Sequence, residues 1–257
     1  MDIIKISSAD CSYQEHLLQW DTLSIFARLF SPSKSALVGR GLLLHGGEGS
    51  SSERTVGFCR WMAHYGIQMA SFDFEGQGRS TGALMGSSLK RRRDLAAHAV
   101  NTLLDGKLDL TLGFSMGGPT ALDLAVDYPK FGIKQVFFVC AAQYASSAFT
   151  VPFGPEFKMI LNTTDSWKDS DVTHKASMFQ GSIYVVTSEE ENVIPSEITN
   201  MMLEAAQQCR ACGYIKIPGT THKLSSQMQE NDILANNFAR LISSIYLINK
   251  PALCDGA

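Results

Sequence analysis

Gly113-Phe114-Ser115-Met116-Gly117 stands where an alternating apolar run gives way to one with helical spacing. Upstream, Leu108-Asp109-Leu110-Thr111-Leu112 alternates as a strand does. Downstream, Pro119 to Tyr128 carries Ala121, Leu122, Ala125 and Val126 at helical intervals, and Pro129 ends the run. Glycines two before and two after the serine let the chain turn sharply from strand to helix without Cβ clashes, leaving the serine exposed at the apex. A serine hydroxyl is a poor nucleophile until the backbone presents it and a base takes its proton. The competing reading is a glycine-rich turn with an idle serine. The flanking strand and helix favour Ser115 as a nucleophile.

The rest of the chain repeats this alternation. Leu23 to Phe30, Gly41 to His45, Ile67 to Phe72, Ile133 to Cys140, Ile183 to Thr187 and Gly213 to Ile217 read as strands. Glu53 to Tyr65, Arg91 to Leu104, Ile198 to Cys209 and a long terminal run, Met228 to Ile248, read as helices. Strands alternating with helices imply an α/β fold: a mostly parallel central sheet covered on both faces. At 257 residues and 45% hydrophobic content the chain can bury a sizeable core as one domain, 1–257. Residues 146–181 interrupt the rhythm without a strand. They carry Phe149, Phe153, Phe157 and Trp167, and read as a small cap supplying apolar walls for a substrate, against ordinary helix packing.

Composition narrows the partners. A net charge of −3 with interspersed signs gives no sign of nucleic acid or an anionic membrane. No apolar stretch reaches the ~18 residues needed to span a bilayer. The N-terminus lacks a basic segment followed by an apolar one, so a cytoplasmic protein is expected. The basic cluster Lys90-Arg91-Arg92-Arg93 reads as a solvated helix start. Of the six cysteines, Cys59 and Cys140 lie in apolar runs and read as buried thiols, while Cys11 and Cys254 add no framework spacing. Cys209-Arg210-Ala211-Cys212 lacks a second pair to complete a zinc site, and no metal is expected.

Ser115 needs a base, an orienting acid and donors for an oxyanion. Among six histidines, His222 follows Pro218-Gly219-Thr220-Thr221, a short loop between the last strand and the terminal helix. A loop at the carboxyl end of a parallel strand is where a base can meet the serine. His45 ends a strand and reads as structural, its ring bonding to nearby backbone. The acid belongs after the preceding strand, in Ser188-Glu189-Glu190-Glu191-Asn192-Val193-Ile194-Pro195; Glu191 leads, with Glu189 and Glu190 open. The Met116 amide, at the positive end of the helix, and the Gly47 amide in Gly46-Gly47-Glu48-Gly49 are the candidate oxyanion donors.

Four motifs in this order resemble the α/β-hydrolase superfamily: His45-Gly46-Gly47, Asp73-Phe74-Glu75-Gly76-Gln77-Gly78-Arg79-Ser80, Gly113 to Gly117, and Gly219-Thr220-Thr221-His222. The resemblance covers nearly the whole chain from about Leu23 and is nearest to compact serine esterases, thioesterases and serine-aminopeptidase-like members with a short cap. Its second motif is structural in the family, so Asp73 and Ser80 are not expected to be catalytic. Aligned on Pro195, Glu191 stands where the family's G-x-x-D-x-x-V-P has its aspartate, and Ser188 replaces the glycine.

The resemblance implies cleavage of an ester or thioester of a medium-sized acyl compound through an acyl-enzyme, without a cofactor. The partner would be a small acyl substrate, including one carried by an acyl carrier protein or CoA. Amide hydrolysis or acyl transfer on the same triad is the alternative, and a ligand-binding protein that turns nothing over is another.

Overall fold

The apolar runs pair into one eight-stranded sheet. The computed structural model describes residues 11–249. The termini on which the leader-free reading and Cys254 fall lie outside them. β1 (Cys11–Trp20) and β2 (Leu23–Pro32) form an antiparallel hairpin. β3 (Gly39–Leu44) leads through a 3-10 turn at Ser52–Thr55 into α1 (Val56–His64) and β4 (Ile67–Phe72). Then come α2 (Leu89–Leu104), β5 (Leu110–Phe114), α3 (Gly117–Asp127) and β6 (Gln135–Val139). α4 (Pro155–Asn162) and α5 (Val172–Met178) precede β7 (Ser182–Glu190). α6 (Ser196–Ala206), β8 (Ala211–Thr221), α7 (Leu224–Glu230) and α8 (Asp232–Ile248) complete the chain.

The order across the sheet is β1-β2-β4-β3-β5-β6-β7-β8, parallel from β4 to β8 and antiparallel at the β1–β2–β4 end. Both faces are covered. Along β6, Val136 and Phe138 enter one core while Phe137 and Val139 enter the other, as the two-residue period of a strand requires. The first core takes Leu95, Leu124 and Met202 from α2, α3 and α6; the second takes Trp61, Phe238 and Tyr246 from α1 and α8. Strands sandwiched this way are apolar throughout, which is why β5 and β6 are buried at every position. No helix among the described residues is long and apolar enough to cross a membrane.

Three local expectations are corrected, and the structure adds β1, which among the described residues pairs only with β2; Leu17 is exposed while Leu18 is buried, the pattern of an edge strand. The terminal helix is two helices, because Asn231 takes an extended conformation and its side chain caps α8 by accepting from the Leu234 amide at 3.1 Å. Pro218 to Thr221 is not a free loop but the end of β8, paired to β7 across a register shift between Ser188 and Glu190. The basic cluster is not simply solvated. Lys90 does face Asp94 on the surface, and Arg91 and Arg93 are tied to Glu75 and Asp127, but Arg92 is only 1% exposed.

In residues 146–181, Phe153 and Phe157 pack with Ala148 and Leu89 into a small core of their own, flanked by Met116, Tyr144 and Phe149. This packing takes up Phe153 and Phe157, while Trp167 packs at the edge of the first core.

Candidate active site

The β5–α3 junction forces Ser115 into a left-handed backbone conformation, φ 49°. Gly113 and Gly117 make that turn sterically possible. A Cβ on Gly113 would lie 2.2 Å from the Gly117 carbonyl oxygen, and one on Gly117 would lie 2.4 Å from the Leu44 carbonyl oxygen. The serine backbone is pinned as well: its amide donates to Val139 at 2.9 Å, and its carbonyl accepts from the Gly118 and Ala142 amides. Strain fixed by its surroundings at one polar residue is a mark of a working site.

His222 follows β8 directly, and its Nδ1 lies 2.9 and 3.0 Å from the two carboxylate oxygens of Glu191. Glu191 follows β7 and is held by more than the histidine. Its Oε1 accepts from the Val193 and Ile194 amides, and its Oε2 from the Ser188 hydroxyl. Burial alone would raise the Glu191 pKa, but the bonds from His222 and from these two amides outweigh it and bring it to about 2. An ionised carboxylate only accepts, so Nδ1 carries the proton and Nε2 is left as a lone-pair acceptor. Glu189 instead accepts from the Gly219 amide at 2.8 Å, bracing the end of β8, and Glu190 is exposed. Of the three glutamates, Glu191 is the one that meets the histidine.

The depressed Glu191 pKa carries a stability consequence. Its share of stability is fully present above the ordinary carboxylate value of 4.5 and is lost as the pH falls towards about 2. The melting-temperature gap between wild type and Glu191→Gln will therefore narrow as the pH is lowered from about 5 to about 2, measured by circular dichroism.

Ser115 and His222 line one cavity of about 150 Å³ with Gly46, Gly47 and Cys140, and Glu48, Arg54 and Lys223 stand among its charged walls. None of its lining residues comes from 146–181. Gly47 and Met116 are brought together: a Cβ on Gly47 would lie 3.4 Å from Met116 Cε. Neither the Gly47 nor the Met116 amide donates to another group among the described residues. A larger hollow, about 830 Å³, lies at the amino ends of β6, β7 and β8 and contains no nucleophile–base pair. Open α/β sheets bind ligands at the carboxyl ends of their strands, where Ser115 stands.

His45 is structural, as expected: its Nδ1 bonds to the Gly46 carbonyl and its Nε2 accepts from the Phe74 amide. Asp73 likewise only binds backbone here, accepting from the Ser52 and Arg79 amides. Cys59 and Cys140 are buried thiols, each pushed up to about 12 by desolvation. Cys140 also has a left-handed backbone, φ 45°, and its sulfur lies within 4.8 Å of ligand atoms of both Glu191 and His222. Sequence reasoning missed this neighbour, because a thiol in an apolar run gives no sign of what lies across the sheet.

The family model of the S33 serine aminopeptidases matches residues 39–167. The chain belongs to that family. Several solved structures resemble this S33-family protein. Est1E from Butyrivibrio proteoclasticus, with ferulic acid bound, is 17% identical with a TM-score of 0.67, over 91% of this chain and 98% of that one. A monoacylglycerol lipase from Paleococcus ferrophilus is 18% identical with a TM-score of 0.65, over 88% and 99%. The thioesterase domain from the curacin biosynthetic pathway is 16% identical with a TM-score of 0.63, over 92% and 99%. At these identities the likeness shows the fold, the α/β-hydrolase fold. No functionally curated protein matches the S33-family chain.

Proposed function

We propose that this protein is a serine hydrolase that cleaves an ester or thioester through Ser115, His222 and Glu191. The observation that carries the reading is the His222–Glu191 pair beside Ser115, with two unspent amides at the same place. Ser115 Oγ attacks the acyl carbonyl carbon as its proton passes to His222 Nε2, and the carbonyl oxygen takes the π electrons. The Gly47 and Met116 amides hold that oxyanion. The intermediate then collapses: the bond to the leaving group breaks, and the leaving group takes the proton from His222. Water repeats the sequence on the acyl-enzyme, and the acid departs. Glu191 accepts the Nδ1 hydrogen throughout, fixing the tautomer and stabilising the imidazolium.

The cavity, at about 150 Å³, is below the roughly 300 Å³ at which pockets for drug-sized ligands begin. That supports a short acyl chain in place of the medium-sized one the family resemblance implies, with residues 146–181 as a short cap packed beside it. Arg54 and Lys223 form no ion pair among the described residues, and they favour a leaving group with negative charge, such as CoA.

The test is hydrolysis of matched p-nitrophenyl esters and acyl-CoA thioesters of increasing chain length. Turnover is expected to be highest with acetyl to butyryl chains and to fall at octanoyl. A fluorophosphonate probe is expected to label Ser115. Folded protein in which Ser115 remains unlabelled would overturn the proposal.

A further inference from the structure

Arg92 is a cation in the core without a counter-ion. Its side chain is 1% exposed, and it forms no ion pair among the described residues. Burying an unpaired charge is costly, so each of its contacts has to compensate for lost water. Its backbone contacts fall on the loop after β3, and its side-chain contacts come from the turn after β4. Arg92 Nη2 donates to the His45 carbonyl at 2.6 Å and to the Gly46 carbonyl at 3.0 Å. Nη1 donates to Gln77 Oε1 at 3.0 Å, and Gln77 Nε2 in turn donates to the Gly47 carbonyl. The guanidinium lies over the Phe74 ring, 3.5 Å from its centroid.

One guanidinium and one amide thus hold three successive carbonyls. In a planar trans peptide the C=O and the following N–H point in opposite directions. No cis bond occurs among the described residues. Drawing the Gly46 carbonyl towards Arg92 therefore turns the Gly47 N–H away from it, on a residue that lines the Ser115 cavity.

We propose that Arg92, with Gln77, is a positioning residue for the oxyanion: it orients the Gly47 amide, and its uncompensated charge beneath the loop favours the negative oxygen formed there. A buried charge is screened less than one in water and acts over several ångströms. The inference rests on the serine-hydrolase reading. It is separable from that reading, because it concerns the oxyanion and not the nucleophile.

The test uses the full chain, with Arg92→Met, Arg92→Lys and Gln77→Leu, a short p-nitrophenyl ester, and a phenylboronic acid that forms a tetrahedral adduct on Ser115. In Arg92→Met, kcat and boronate affinity are expected to fall together by about 10- to 100-fold while KM stays within about twofold. Arg92→Lys, which keeps the charge, should recover part of that loss. A variant destabilised without loss of positioning would keep its boronate affinity at temperatures where it is folded.

Folded Arg92→Met with unchanged kcat, or with a raised KM alone, overturns the inference. If Arg92→Met does not fold, Gln77→Leu decides. A fall of about tenfold or more in boronate affinity supports the inference, and no fall overturns it. Wild-type protein that is neither probe-labelled nor active overturns the serine-hydrolase reading and this inference with it.

Discussion

Ser115→Ala is expected to lower kcat by about five to six orders of magnitude while leaving the melting temperature close to that of wild type. The kinetic effect is large because every covalent step of the proposed mechanism passes through Oγ. Removing it leaves only binding and oxyanion stabilisation, which act on water as a poor substitute nucleophile. The thermal effect is small for a reason visible in the structure. The bonds that shape the turn come from the Ser115 backbone amide and carbonyl, and its hydroxyl bonds to no group among the described residues. Alanine inherits the φ of 49° at much the same steric cost. Steady-state hydrolysis and a thermal melt of the same preparation check both halves. A variant retaining a tenth of wild-type turnover would show that another residue is the nucleophile.

Glu191→Gln is the second large effect. A glutamine can accept the Nδ1 hydrogen, but it also offers an NH₂ that favours the opposite tautomer, placing the proton on Nε2 where a base needs a lone pair. A loss of about 10⁴ in kcat is expected, with KM little changed. The neighbours provide the control. Glu190→Gln should be within about twofold of wild type because the side chain is exposed and holds nothing in the site. Glu189→Gln should lie between them, since Glu189 braces the Gly219 amide and only indirectly the histidine. A severe loss at Glu189 or Glu190 instead would move the acid to that residue.

Most of what positions the site is local enough to be read from the chain. The glycines at 113 and 117 announce a turn because no Cβ fits against the Gly117 carbonyl at the first or the Leu44 carbonyl at the second. Ile67–Phe72 is a strand from its apolar run alone. The register of the glutamates was legible only through Pro195, and the structure explains the choice: Glu191 sits where the Val193 and Ile194 amides turn back to meet it.

What was not legible is three-dimensional. Arg92 looked like one of four surface cations, although its place three residues after Leu89 and four before Ala96 puts it on the buried stripe of α2. On a helix the 3.6-residue period, not charge, decides which side chains face the core. Phe153 and Phe157 show another limit: apolar character says that they are buried but not against what, and the structure packs them on Ala148 and Leu89.

The two residues of the proposed catalytic pair are not held equally. Ser115 follows β5, which has neighbours on both sides and is buried at every position. His222 follows β8, which among the described residues pairs with β7 alone, and every second residue from Cys212 to Lys216 is exposed. Strands of this kind open locally at a lower free-energy cost than the centre of the sheet. The molecule therefore contains a hierarchy of failure. If His222 is the base, fraying at one border would silence it while the elbow stays intact, so loss of activity would report on that border before it reports on the fold.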